Sequence, residues 1–95
     1  MTGPAQTRAH LYIRGDVQGV GFRHFILRVA GRAGVAGWVR NLEDGRVEAV
    51  AEGPEAAVKQ WVEGCRKGPP FAQVEGVEVA WEAPEGKFKE FEIVR

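Results

Sequence analysis

The chain has one cysteine, Cys65, in 95 residues, so no internal disulfide can staple it. It also lacks any surplus of charge: 13 Lys and Arg balance 13 Asp and Glu, for a formal net charge of +0. Without a net field, no sequence-independent attraction draws it to nucleic acid or to an anionic membrane, and an anion must be recognised locally. Nowhere does an apolar run approach the roughly eighteen residues that cross a bilayer as a helix. Met1-Thr2-Gly3-Pro4 carries neither the basic stretch nor the apolar run of a secretory leader, and with the lone cysteine this makes a reducing cytoplasm the expected compartment. No set of His, Cys, Asp and Glu stands at metal-ligand spacing, and no repeat or low-complexity tract interrupts the chain. The length implies one domain whose core buries roughly two thirds of the unfolded surface.

What is present is a regular succession of patterns. Residues 1–7 show no periodicity and are expected to be a loose tail, leaving 8–95 as the domain. From Arg8 to Gly15, Ala9, Leu11 and Ile13 alternate with His10, Tyr12 and Arg14, which predicts a half-buried strand. Phe22, Ile26, Val29, Ala30 and Ala33 then recur at helical spacing, and Gly34 supplies the C-terminal cap. Two short strands, Val35 to Leu42 and Val47 to Glu52, flank Asp44-Gly45, a hairpin signal that makes them antiparallel neighbours. Gly53-Pro54-Glu55 opens a second helix with proline in the first helical position, and Ala57, Val58, Trp61, Val62 and Cys65 form its buried stripe. Gly68 and Pro69-Pro70 end it. Val77, Val79 and Trp81 predict another strand, and Phe91 and Ile93 a last one. The order yields an α/β (α+β) split βαβ sandwich: an antiparallel sheet of four to five strands with two helices on one face.

Gly15-Asp16-Val17-Gln18-Gly19-Val20-Gly21-Phe22-Arg23 joins the first strand to the first helix. Backbone N–H groups in a glycine-rich turn can converge on an anion because no β-carbon obstructs them, and the helix start adds unpaired donors and a positive dipole end. Arg23 opposes that dipole by about 0.3–1 kcal/mol, a sign that a bound anion would reverse. The loop lacks the Gly-Lys-Ser/Thr ending of a P-loop and the third glycine of a dinucleotide fingerprint. A tight turn with Arg23 in solvent is the plainer alternative.

The second notable residue is Asn41, which shares the parity of Val35, Gly37 and Val39 and so faces the same way as apolar neighbours. A polar amide there needs partners. It either caps the Asp44-Gly45 turn through nearby backbone or orients a water molecule, oxygen accepting and nitrogen donating.

Gly15-x-Val17-Gln18-Gly19-Val20-x-Phe22-Arg23 and Gly37-x-Val39-x-Asn41-x-x-Asp44-Gly45-x-Val47 resemble the two signatures of acylphosphatases, and the likeness extends over all but the tail to Thr7. The resemblance implies a ferredoxin-like sandwich, hydrolysis of acyl phosphates to a carboxylate and inorganic phosphate, and no cofactor. It implies Arg23 and Asn41 as catalytic residues, with Gln18, Gly19, Val20, Gly21, Phe22 and Arg23 as the phosphate-binding loop. The expected partner is a small acyl phosphate, with phosphate or a similar anion in the loop; no nucleic acid, membrane or metal is expected, and a monomer is the simplest state.

The remaining conspicuous residues have plainer readings. Asp16 places a carboxylate beside the cradle, where an outward side chain is screened by water and salt. His24 is a helix-surface residue rather than a general base, and His10 and Tyr12 make surface contacts on the first strand. Trp38, Trp61 and Trp81 are packing residues, and Cys65 is a small buried hydrophobe. Two rival functions use the same sandwich: a module that senses a small anion or an amino acid without chemistry, and a domain acting on carbamoyl phosphate. An RNA-binding sandwich lacks the required strand aromatics and basic face.

Overall fold

The computed structural model describes residues 5–19 and 21–95. Its elements run β1 (Gln6–Asp16), α1 (Phe22–Ala33), β2 (Ala36–Asn41), β3 (Val47–Pro54), α2 (Glu55–Lys67), β4 (Gln73–Glu82) and β5 (Phe91–Ile93). The strands form one sheet in the order β4-β1-β3-β2-β5, with β3 at its centre. The expected split βαβ arrangement is present.

One strand departs from the expected antiparallel sheet: β5 runs parallel to β2, pairing Gly37 with Phe91 and Val39 with Ile93. The sheet is therefore mixed. Alternation in Phe91–Ile93 announces a strand but cannot announce its neighbour, which is set by the route of the preceding connection. That route crosses the open face of the sheet, where the N–H groups of Glu85 and Gly86 each donate to the Glu52 carboxylate at 3.0 Å.

Other corrections concern ends and edges. β1 begins at Gln6, inside the expected tail, because Gln6 and Thr7 pair with Pro54 and Gly53 through backbone groups that need no apolar alternation. Pro54 is the N-cap of α2 rather than its first helical residue; at ψ 142° its backbone still belongs to β3. Trp81 lies on the row of Ala9 and Ala51, yet β4 is an edge strand and leaves it 49% exposed. Trp61, by contrast, is fully buried, with its ring 5.8 Å from that of Phe91.

The core lies between the sheet and its helices. Ala9, Leu11 and Ile13 of β1, Val47, Ala49 and Ala51 of β3 and Val39 of β2 meet Phe22, Ile26 and Ala30 of α1 and Val58, Trp61, Val62 and Cys65 of α2. Each large side chain buried this way stabilises the fold by about 1.5–3 kcal/mol. The register sets Val77, Ile13, Val47 and Asn41 in one row across the helix-covered face. Asn41 thus stands at the end of the sheet where β1 delivers the chain into the glycine loop.

The open face holds a charged network centred on two buried carboxylates. Glu48 meets His10 at 2.6 Å and Arg40 at 2.7 Å, while Glu52 meets Arg8 at 2.8 Å. Burial would push both carboxyls up, but it is outweighed: hydrogen bonds from His10, Arg40 and Tyr12 hold Glu48 below its ordinary value. For Glu52, the Glu85 N–H, the Arg8 guanidinium and the Gly86 N–H do the same.

Candidate active site

The glycine loop is anchored at both ends by side chains the core requires. Val17 and Phe22 are each 1% exposed, so the residues between them must bridge two buried points at the margin of the sheet. Gly19 and Gly21 take positive φ values of 77° and 76°, a conformation glycine adopts without steric penalty. Gly21 is also the N-cap of α1. It offers no side-chain oxygen, and no acidic residue occupies the first turn. Phe25 N–H donates to the Gly21 carbonyl at 3.0 Å, which leaves the N–H groups of Phe22, Arg23 and His24 without an intrahelical acceptor. Arg23 is half-buried in this uncapped turn, with no ion-pair partner among the described residues. Val20, expected in the loop, lies outside the described residues.

Asn41 closes β2 opposite Val47, on the face its parity indicated. Its Oδ1 is buried and has no hydrogen-bond partner among the described residues. Capping of the following turn does not account for the side chain. The turn is closed by Leu42 N–H donating to the Arg46 carbonyl at 2.8 Å and Gly45 N–H donating to the Leu42 carbonyl at 3.2 Å. It is Asp44 whose side chain accepts from Arg46 N–H, at 3.0 Å, and that bond together with the Arg46 guanidinium lowers the pKa of its carboxyl. An unpaired buried acceptor costs about 1–3 kcal/mol, a cost that a bound water or ligand removes.

The sequence places Gln18 in the expected phosphate-binding loop and gives its side chain no separate role. Its side chain links the two halves of the site: Nε2 donates to the carbonyls of Leu42 at 2.7 Å and Arg46 at 2.9 Å. The signal in the sequence is an amide standing between valine and glycine, in the apolar stretch from Val17 to Phe22. The bonds reach across 24 and 28 residues, a pairing that local patterns cannot reveal.

The other conspicuous residues lie where expected, with more contact than expected for some. Asp16 is exposed at the end of β1, backbone-paired with Gln73, and His24 is exposed on α1. His10 stacks on Tyr12 at 4.9 Å on the open face, away from the loop. Cys65 is buried in the core, and burial pushes its thiol well above the ordinary range. A shallow groove lined by Phe25, Val29, Gln60 and Gly64 runs between the helices and includes none of Gln18, Gly19, Gly21, Arg23 or Asn41. No described helix is long and apolar enough to cross a membrane.

The uncapped glycine loop and the buried asparagine stand in a chain with well-matched relatives. The acylphosphatase family model matches residues 9–93. An acylphosphatase of Gloeobacter violaceus is 58% identical over 88 residues, covering 93% of this chain and 94% of the relative. One from Pyrobaculum arsenaticum is 59% identical over 88 residues, covering 92% and 93%. The crystal structure of the Bacillus subtilis acylphosphatase superposes with a TM-score of 0.90 at 40% identity, covering 94% of this chain and 99% of that one. With a matching family model, relatives of near-equal length and a shared ferredoxin-like architecture, the chain belongs to the acylphosphatase family.

Proposed function

We propose that this acylphosphatase cleaves acyl phosphates by direct attack of a water, held by Asn41, on a phosphoryl group held by Arg23 and the loop N–H groups from Gln18 to Phe22. Water adds to phosphorus as the bond to the bridging oxygen breaks, giving a carboxylate, inorganic phosphate and one proton. The leaving carboxylate has a conjugate acid of pKa about 4, so its departure at neutral pH needs no general acid. What remains is alignment of the nucleophile and stabilisation of charge on the non-bridging oxygens. The planar guanidinium of Arg23 suits bidentate contact with two of those oxygens, and the uncapped turn supplies further donors. An amide is too weakly basic to take the proton, which passes to a phosphate oxygen or to solvent.

The observation that carries this reading is the Oδ1 of Asn41, which has no partner among the described residues and is buried at the same end of the sheet as the uncapped start of α1. That oxygen can accept one hydrogen bond from water and turn the water's lone pair toward phosphorus. A chemistry built from backbone donors, one arginine and one amide calls on no metal or cofactor. A small soluble substrate and a self-contained site agree with a cytoplasmic monomer.

Steady-state kinetics with benzoyl phosphate test the two roles separately. Arg23→Ala should lower kcat/KM by about 10³ and weaken inhibition by inorganic phosphate. Asn41→Ala should lower kcat by about 10²–10³ while the phosphate inhibition constant stays within about twofold. Near-normal turnover in Arg23→Ala, or equal loss of turnover and phosphate affinity in Asn41→Ala, would overturn the assignment.

A further inference from the structure

We infer that Gln18 is a positioning residue for hydrolysis, setting the distance between the phosphate cradle and the Asn41-bound water through its side-chain amide. The inference rests on the reading that Asn41 orients the nucleophile. Both N–H groups of the Gln18 amide are committed, at 2.7 Å and 2.9 Å, to carbonyls on either side of the β2–β3 turn. One of those carbonyls belongs to Leu42, the residue bonded directly to Asn41. The other belongs to Arg46, whose carbonyl also receives the Leu42 N–H at 2.8 Å, so one amide fastens both ends of the turn.

The position of Gln18 gives this fastening its consequence. Its own N–H belongs to the proposed cradle, while its side chain grips the strand end that carries the water-holding amide. Val17 and Phe22 fix the ends of the loop in the core, but neither reaches the hairpin turn by a hydrogen bond. Among the described residues, Gln18 is the loop residue whose side chain hydrogen-bonds to the β2–β3 turn. In-line attack requires reacting atoms held near 3–3.5 Å, and a misplacement of about 1 Å costs on the order of 10²-fold in rate. Loosening this link therefore disturbs alignment more than phosphate binding. The expected signature is a fall in kcat with phosphate affinity retained.

The test uses Gln18→Met, which keeps length and loses both donors, alone and combined with Asn41→Ala. With benzoyl phosphate, Gln18→Met should lower kcat by about tenfold to a hundredfold, with the inhibition constant of inorganic phosphate within about twofold of the parent. If Gln18 acts through Asn41, the double variant should turn over within about twofold of Asn41→Ala alone. A structural role would instead add its loss in both backgrounds. Gln18→Glu supplies a second reading: its carboxylate faces two carbonyl oxygens at neutral pH and regains one donor when protonated. Its kcat relative to the parent should rise several-fold as pH falls through the carboxyl range near 4–5. Unchanged kcat in Gln18→Met, additive losses in the double variant, or a flat relative profile for Gln18→Glu overturns the inference. Normal turnover in Asn41→Ala overturns the reading beneath it, and this inference with it; loss in Asn41→Ala beside an unaffected Gln18→Met overturns this inference alone.

Discussion

Gly15 lies so close to the backbone of Gln73 that a β-carbon on it would stand 2.1 Å from the Gln73 carbonyl oxygen. The contact falls where the β1–β4 register shifts, between Arg14 and Gly15, just before the chain enters the phosphate loop. Glycine here is a condition of the loop's departure angle, since the obstructing atoms are backbone and cannot rotate away.

Gly15→Ala should therefore destabilise the protein by about 3 kcal/mol, combining backbone strain at φ 130° with steric overlap. Gly19→Ala is the matched control: φ is also positive, at 77°, but among the described residues no atom beyond its chain neighbours lies within 4 Å of the added carbon. Its cost should be about 1–2 kcal/mol, from conformation alone. Urea unfolding midpoints of the two variants decide the matter, and equal losses would show that the Gln73 contact relaxes freely.

Inorganic phosphate should stabilise the parent protein by linkage, by about 2.7 kcal/mol at a hundred times its dissociation constant. Arg23→Lys should keep only part of this shift and lose about 10–100-fold in kcat/KM, because an ammonium cannot reproduce a bidentate contact. His24→Ala should show the full shift and normal turnover, as expected of an exposed helix residue. A His24→Ala protein that folds stably and binds phosphate but does not turn over would make His24 part of the chemistry. Thermal melts with and without phosphate, alongside benzoyl phosphate kinetics, provide both readouts.

Acid should unfold the protein through Glu48 and Glu52. Both carboxyls sit below their ordinary value of 4.5 in the folded state, so between the folded and unfolded values the unfolded chain binds more protons. Their contribution is complete above about pH 4.5 and is lost as pH falls through the lower folded-state values. Glu48→Gln should be less stable at pH 7, by about 1.5–3 kcal/mol, and should lose less of its remaining stability on acidification. Unfolding free energies from pH 7 to pH 3 measure the slope; an unchanged slope would remove Glu48 from the acid response.

The elements were legible because each has a local cause. Alternation in residues 9–13, helical spacing from Phe22 to Ala33 and the Asp44-Gly45 turn act within a few residues of one another. The orientation of Asn41 was legible for the same reason, since strand parity with Val39 places it on the covered face. Partnerships between distant segments were not. The parallel pairing of β5 with β2, the extension of β1 to Gln6 and the grip of Gln18 on the turn depend on backbone groups, which all residues share. Burial of Glu48 and Glu52 was hidden because their partners, Arg8, His10, Arg40 and Tyr12, come together only when three strands align. Trp81 misled because alternation shows a face without showing that the strand lies at the rim.

The sheet order has a consequence for how copies of this protein meet. With β5 covering part of the far side of β2, the long exposed rim is β4, whose free backbone groups would template another strand. Along that rim stand Glu75, Glu78 and Glu82, all exposed; Glu82 pairs with Arg8 at 2.9 Å and Glu75 with Arg14 at 3.9 Å, which leaves Glu78 as the acid of the three without an ion-pair partner among the described residues. A charged side chain on an edge strand opposes pairing with another copy at neutral pH, and protonation of Glu78 should weaken that opposition. Acid, which loosens the carboxylate network on the open face, should therefore also make pairing along β4 easier.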